Sequence, residues 1–454
     1  MPTRNGHRLR SAAAAALGAL ATTPAVAQPI NEHLKLIASD GTAGDLFGQS
    51  VAISGTVAIV GAARDDDNGH GSGSAYLYDF SDPDNIIETK LTASDGVGGE
   101  GFGFSVAISG TIAIVGAPFD NDNGDESGSA YVYDFTDPDN IIETKLISPD
   151  GLAENDNFGF SVAISETTVI VGSPRGGHSL TAYAGLAHRF RITSTGISGG
   201  LRLAASDPSG NARFGHSVAI SGSTALVGAS GDGVTGGDPG SVYLFGGATQ
   251  VAKLTASDGR AYDHFGWSVA IDGTTAIVGA RAETRPGSAY LYDVSNPSDI
   301  IETKLAASGI YDFGQAVAIS GTTALVGSHG FPATGSAYRY DFSDPDAIVR
   351  TELVATDRAD FDFFGGALAI SGHTAIVTAG LDDDNGDDSG SAYLFDFSPC
   401  AADLNGDGTL DFFDVSAFLT AFNDQDPAAD FNADTLFDFF DVAAFIVAFG
   451  RGCP

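Results

Sequence analysis

Apolar and small residues along this chain come in short bursts of period two, and the bursts recur. The first runs from Phe47 to Ala62, FGQSVAISGTVAIVGA. Phe47, Gln49, Val51 and Ile53 fall on one side and Gly48, Ser50, Ala52 and Ser54 on the other, which predicts a strand. Both sides are mostly apolar or small, so the strand is expected to be covered on both. Ser54-Gly55-Thr56 reads as a tight turn and Val57 to Ala62 as a second, β-branched strand. Ser74 to Phe80 (SAYLYDF) is a third. Ser81-Asp82-Pro83-Asp84 is a turn, and Ile86 to Thr92 (IIETKLT) is a fourth strand whose charges suit an edge.

The same stretch begins again at Phe102, Phe158, Phe214, Phe265, Phe313 and Phe364, roughly every 50 residues. One sheet of four short antiparallel strands cannot bury both faces alone, but a ring of such sheets can. The expected fold is therefore an all-β, seven-bladed β-propeller over residues 28–398. The seventh copy ends after its third strand, Ser391 to Phe397, while an orphan fourth strand, Glu32 to Ala38 (EHLKLIA), stands at the start of the chain. This N-terminal strand is expected to close the ring beside Tyr393 to Phe397.

The copies resemble the FG-GAP repeat family, in its variant FGxSVAISG-x-TAIVGA, from about Glu32 to Ser398. In the integrin form of that family, calcium sits in an acidic loop between the first two strands. Here that position is Ser-Gly-Thr or a similar turn, so the resemblance implies a propeller without those calcium sites.

Arg4, Arg8 and Arg10 precede an Ala/Leu-rich stretch, Ser11 to Ala21, and the small-x-small triplet Ala25-Val26-Ala27. This reads as a secretory signal peptide over residues 1–27, cut before Gln28. No other stretch is long and apolar enough for a membrane span, so the expectation is a secreted protein, extracellular or attached at the cell surface, with no transmembrane segment. The net charge of −37 argues against nucleic acid or anionic membranes as partners and suits calcium, cationic surfaces or simple solubility.

The copies differ at two kinds of position. Loops between strands two and three are acidic in copies one, two and seven: Asp65 to Gly69, Asp120 to Gly124 and Asp382 to Gly386. Strand alternation puts them on one face with Asp40, Asp95 and Asp258. They could hold Ca²⁺, but no bidentate carboxylate follows at a fixed distance, which favours solvated acidic turns. The residue after each Phe-Gly also varies: Gln49, Phe104, Phe160, His216, Trp267, Gln315 and Gly366. These side chains should lie near the mouth of the central channel, where they could cradle a protein or glycan ligand or simply pack between blades. Copy three carries an insert, Arg175 to Gly185, and copy four a Gly-rich loop, Gly231 to Gly240. No metalloprotease, nucleophile-elbow, P-loop or dinucleotide motif is present, and no catalytic residue is nominated. The leading reading is a non-enzymatic binding or structural propeller. The alternative is a polysaccharide-acting lyase or hydrolase.

Composition changes at Pro399-Cys400. Asp403, Asn405, Asp407, Thr409 (by its carbonyl), Asp411 and Asp414 have the spacing of an EF-hand calcium loop, with Gly408 at the sharp turn. Asp430, Asn432, Asp434, Leu436 (by its carbonyl), Asp438 and Asp441 repeat it, but Thr435 replaces the glycine, which predicts a weaker second Ca²⁺ site. Each loop precedes an apolar helix face: Val415, Phe418, Leu419 and Phe422, then Val442, Phe445, Ile446 and Phe449. The pair resembles a dockerin, ending Gly452-Cys453-Pro454 like the dockerin-type anchoring domains of secreted bacterial proteins. That resemblance implies a small α-helical, EF-hand-type domain over residues 399–454 and a cohesin-like or cell-envelope anchoring partner. Cellulosomal dockerins carry small polar residues where this chain has Phe412-Phe413 and Phe439-Phe440. In so small a domain at least one Phe of each pair is expected in the core. Cys400 and Cys453 flank the domain and in an oxidising compartment can join its ends.

Overall fold

A computed structural model describes residues 25–451 apart from 83, 152–153, 178–183, 233–238, 283–285, 306–309, 331–333, 399–400, 406–409 and 433. Residues 1–24 of the expected signal peptide, both cysteines, Asp407, Thr409 and the centres of the inserts in copies three and four lie outside the described residues.

Each copy folds as an antiparallel sheet of four strands taken in chain order. In the first blade these are Phe47–Ser54, Val57–Ala62, Ser74–Asp79 and Ile87–Leu91. The first strands touch one another in sequence around the molecule, and the circle closes where Phe364–Ser371 meets Phe47–Ser54. The seventh blade takes its fourth strand from the N-terminus: Leu34, Lys35 and Leu36 pair with Leu394, Tyr393 and Ala392. The expected closure of the ring is thus observed. The segment before it was not foreseen. Ala25–Val26 and Ile30–Asn31 run parallel to Val349–Val354 and cover the outer edge of the sixth blade.

The core lies between blades. Second strands are the most buried, with Ala58, Ile59 and Val60 fully enclosed. One cluster joins Phe47, Val60 and Tyr76 of the first blade to Ile376 and Leu394 of the seventh. The blades approach so closely that some positions exclude any side chain. A Cβ on Gly61 would lie 2.0 Å from the carbonyl oxygen of Gly103 in the next blade, which accounts for the glycine after Val in every second strand but the seventh. Every seam is also stapled by one hydrogen bond on the opposite face. The N–H that closes the first turn of a blade donates to a side-chain oxygen of the blade before. At the ring closure this is Gly55 N–H to Ser371 Oγ, 3.0 Å. The others run to Ser54, Ser109, Ser165, Ser221, Asp272 and Ser320.

After the propeller come helix α1, Phe412–Asp424, and helix α2, Phe439–Arg451. Phe418 and Phe445 stack with centroids 4.1 Å apart at the centre of their contact. Val415, Phe422, Val442 and Phe449 pack around them. Two expectations fail here. Leu419 and Ile446 face outward, because two short helices bury a narrower stripe than the full apolar face. All four residues Phe412, Phe413, Phe439 and Phe440 are also exposed, between 64% and 76%, instead of one of each pair entering the core.

Candidate functional site

The residue after each Phe-Gly does not follow the strand parity read from the sequence. Phe47 pairs with Ala62, but the next ladder pair is Ser50 with Gly61, so Gly48 and Gln49 bulge out of the sheet. The same shift occurs after Phe214, Phe265 and Phe364. Gly48 has φ +93°, a conformation glycine adopts without cost, and the bulge re-aims the following side chain. A second device sits just before each Phe. Leu46, Asn157, Arg213, His264, Asp312 and Phe363 all have φ between 51° and 59°, and Gly101 holds the seventh equivalent place. A side chain there costs about 1 kcal/mol relative to glycine, yet six of seven blades carry one.

These turns stand at the start of the first strands, and beside them the variable residues of blades two to five meet. Phe119 packs edge-on against Phe104 (5.7 Å), Phe104 on Phe160 (5.0 Å), Phe160 on His216 (5.3 Å) and His216 on Trp267 (4.5 Å). Arg281 lies over the Trp267 ring at 4.7 Å. A continuous aromatic arc therefore spans blades two to five, while blades six, seven and one contribute Gln315, Gly366 and Gln49. Burial, with the nearby charge of Arg213, pushes the His216 imidazole down to about 4, so it is a neutral ring at pH 7. Burial and Arg281 likewise lower His329. Arg281 Nε donates to Asp312 Oδ1 (3.0 Å), and His329 stacks on Phe363. Gln315 Oε1 is buried and accepts no hydrogen bond from the protein.

The acidic loops are largely solvated, as the sequence favoured, with Asp66, Asp67, Asp122, Asp383 and Asp384 exposed, but the first Asp of each loop is not. Asp65, Asp120 and Asp382 are buried, and each binds a tyrosine and a lysine of its own blade. In the first blade Tyr76 Oη donates to Asp40 and Asp65, both at 2.9 Å. Lys90 Nζ reaches the same two carboxylates at 2.8 and 2.9 Å, meets Asp67, and lies over the Tyr76 ring at 5.1 Å. Lys145, Lys253 and Lys35 repeat the arrangement on Asp120, Asp232 and Asp382, and Lys304 on Asp258. These are all five lysines of the chain. Where carboxylates crowd on this face, as at Asp357, Asp382 and Asp384, an ammonium group already stands among them. The recurring Lys of IETKL, two residues beyond a Glu and opposite a Tyr, was the sequence signal for this network.

In the tail, the closing carboxylates hold equivalent places. Asp414 accepts from the N–H groups of Asn405 (3.3 Å) and Asp411 (2.9 Å), and Asp441 from those of Asn432 (3.3 Å) and Asp438 (2.9 Å). The backbone N–H of Asp411 chiefly holds Asp414 below the usual carboxylate range, and that of Asp438 does the same for Asp441. Thr435 has φ 66°, in the left-handed turn expected of it. The carboxylates of Asp430 and Asp434 accept backbone N–H bonds within the second loop. Every described position of both loops that carries a ligand in the EF-hand pattern is a hard oxygen donor, which fits a hard cation. Asp403, Asn405 and Asp411 keep that pattern in the first loop.

A model of the FG-GAP repeat matches residues 30–78, 87–133, 142–187, 201–245, 248–292 and 349–395, more than half the chain. The chain belongs to the FG-GAP repeat family. Each matched FG-GAP segment starts on or close to the fourth strand of one blade and runs to the third strand of the next, so the sequence unit straddles a seam. The sixth copy, Phe313 to Asp341, lies outside the matched segments, yet it forms an FG-GAP blade like the others. No curated protein matches the chain. Among the described residues no helix is long and apolar enough to cross a membrane.

Proposed function

We propose that this FG-GAP propeller is a secreted, non-enzymatic binding protein whose ligand, a glycan or a peptide, docks at the channel mouth. The observation that carries the reading is the unbroken arc Phe119–Phe104–Phe160–His216–Trp267–Arg281. It is built from strained turns and bulges that the ladder itself does not need. Partly exposed aromatic faces beside a guanidinium suit sugar rings or aromatic peptide side chains.

The tail supports anchoring. Two loops with calcium-ligand spacing, set on a pair of helices with exposed Phe412, Phe413, Phe439 and Phe440, suit a Ca²⁺-dependent, dockerin-like module that meets a cohesin-like or cell-envelope partner. The polysaccharide-acting alternative is favoured by one feature, Asp312 between Arg281 and His329. Its carboxylate is taken up by the guanidinium, so binding is the preferred reading.

Screening the full chain against glycan and peptide arrays, beside Trp267→Ala and Phe160→Ala, tests the mouth. Ligands that bind wild type and are lost in both variants support it. Ligands retained by both variants place recognition elsewhere, and turnover of a bound glycan would establish the enzyme instead.

A further inference from the structure

The arc ends on a cleft of about 490 Å³ between blades one and two, lined by Gln49, Arg64, His70, Phe104 and Phe119. Arg64 is exposed, and no carboxylate among the described residues pairs with it. Among the described residues Arg191, Arg213 and Arg260 are also exposed without a carboxylate partner, but of these four Arg64 alone lines this cleft. Every lysine is held by carboxylates, Arg281 is tied to Asp312, and Arg175 reaches Glu126 at 3.4 Å. The acids nearest to Arg64 in sequence have other partners: Asp65 binds Lys90 and Tyr76, and Asp66 accepts from the Gly71 N–H (2.7 Å) and meets His70.

Resting on the reading of the mouth as a binding site, we infer that this cleft selects a carboxylate-bearing saccharide, a uronic acid unit within an oligosaccharide. The carboxylate pairs with the Arg64 guanidinium, whose planar fork matches it. The apolar face of the sugar ring lies on Phe104 or Phe119, whose rings stand at 83° and form two walls of one corner. The hydroxyls meet the Gln49 amide, the His70 imidazole and the backbone at Gly99, where an added Cβ would touch nothing. A saccharide is favoured over an acidic peptide because Gly99 leaves one rim open to hydroxyl–backbone hydrogen bonds, and the corner fits a single ring.

The test is calorimetry on the full chain with a galacturonate trimer, the neutral galactose trimer and a glutamate tripeptide, repeated with Arg64→Gln and Phe104→Ala. The expected result is binding of the galacturonate trimer about tenfold tighter than the neutral trimer, with that preference lost in Arg64→Gln. Phe104→Ala should weaken both saccharides. Thermal melting shows whether each variant is folded, and Arg64, being exposed, can be replaced without disturbing the core. Equal binding of the two trimers overturns the selection for carboxylate and leaves the mouth as a binding site. Binding of the tripeptide alone overturns the saccharide class. If none of the three binds, the uronate proposal fails, and the array screen decides separately whether the mouth binds anything.

Discussion

Lys90 Nζ lies 2.9 Å from Asp65 Oδ2, at the centre of the first blade's acidic loop. The ammonium stands where a bound cation would stand, among carboxylates that converge from two loops. Replacing Lys90 by Met leaves a buried carboxylate without its counter-charge, which costs about 3 kcal/mol. Thermal unfolding of Lys90→Met should show that loss, and adding Asp65→Asn should recover much of it.

The same network sets the response to acid. Burial opposes ionisation of Asp40, Asp95 and Asp258, but hydrogen bonds and charge from Lys90, Lys145 and Lys304 hold them below the usual range. Their stabilisation is present above about pH 4 and is lost as the pH falls through their folded values. Burial raises Asp45, Glu100 and Asp362, so these take up protons in the folded state first, and that uptake stabilises the fold. The melting temperature should therefore rise modestly as the pH drops from 7 towards 5 and fall steeply below about 4. Glu100→Gln should flatten the rise and leave the fall in place.

Close approach of blades makes Gly61→Ala severe. The new methyl meets the Gly103 carbonyl oxygen and the Ser50 hydroxyl at once, and the backbone oxygen cannot swing away. A loss of about 3 kcal/mol is expected in thermal or urea unfolding. Gly55→Ala, where a Cβ would touch nothing, should cost only the strain of φ +60°, about 1 kcal/mol.

Thr435 holds a left-handed turn at φ 66° that glycine would hold without strain. Thr435→Gly should therefore tighten Ca²⁺ binding by the second loop about fivefold in a calorimetric titration of the full chain, and leave the first loop unchanged. No change in either phase would show that the second loop does not take the ion.

The repeats, the ring and its closing strand were legible because Phe-Gly, Val-Gly and Ser-Ala-Tyr recur roughly every 50 residues, and because Glu32 to Ala38 matches no other vacancy. The bulge at Gly48–Gln49 was not legible. Alternation looks continuous there, and only the shifted pairing of Ser50 with Gly61 reveals it. The fate of Asp65 was hidden for a related reason. Its partners, Lys90 and Tyr76, lie on two other segments, and a run of acids looks the same whether solvated or paired. In the tail, periodicity placed Phe418 and Phe445 correctly. It could not show how narrow a stripe two helices bury, so Leu419, Ile446 and the paired Phe residues were misplaced.

The strand that completes the seventh blade is the earliest part of the propeller to be synthesised, and its partner around Tyr393 is the latest. Until Ser391 to Asp396 have been made, Leu34 to Leu36 have no edge to join, and each newly finished blade offers only a neighbour's flank. A chain stopped short of Tyr393 is left with an open arc, an ungripped leading strand and Lys35 without Asp382. The propeller is thus inspected by the fold itself: only a chain read through Asp396 can shut the circle, and a product stopped before it exposes an edge it cannot hide.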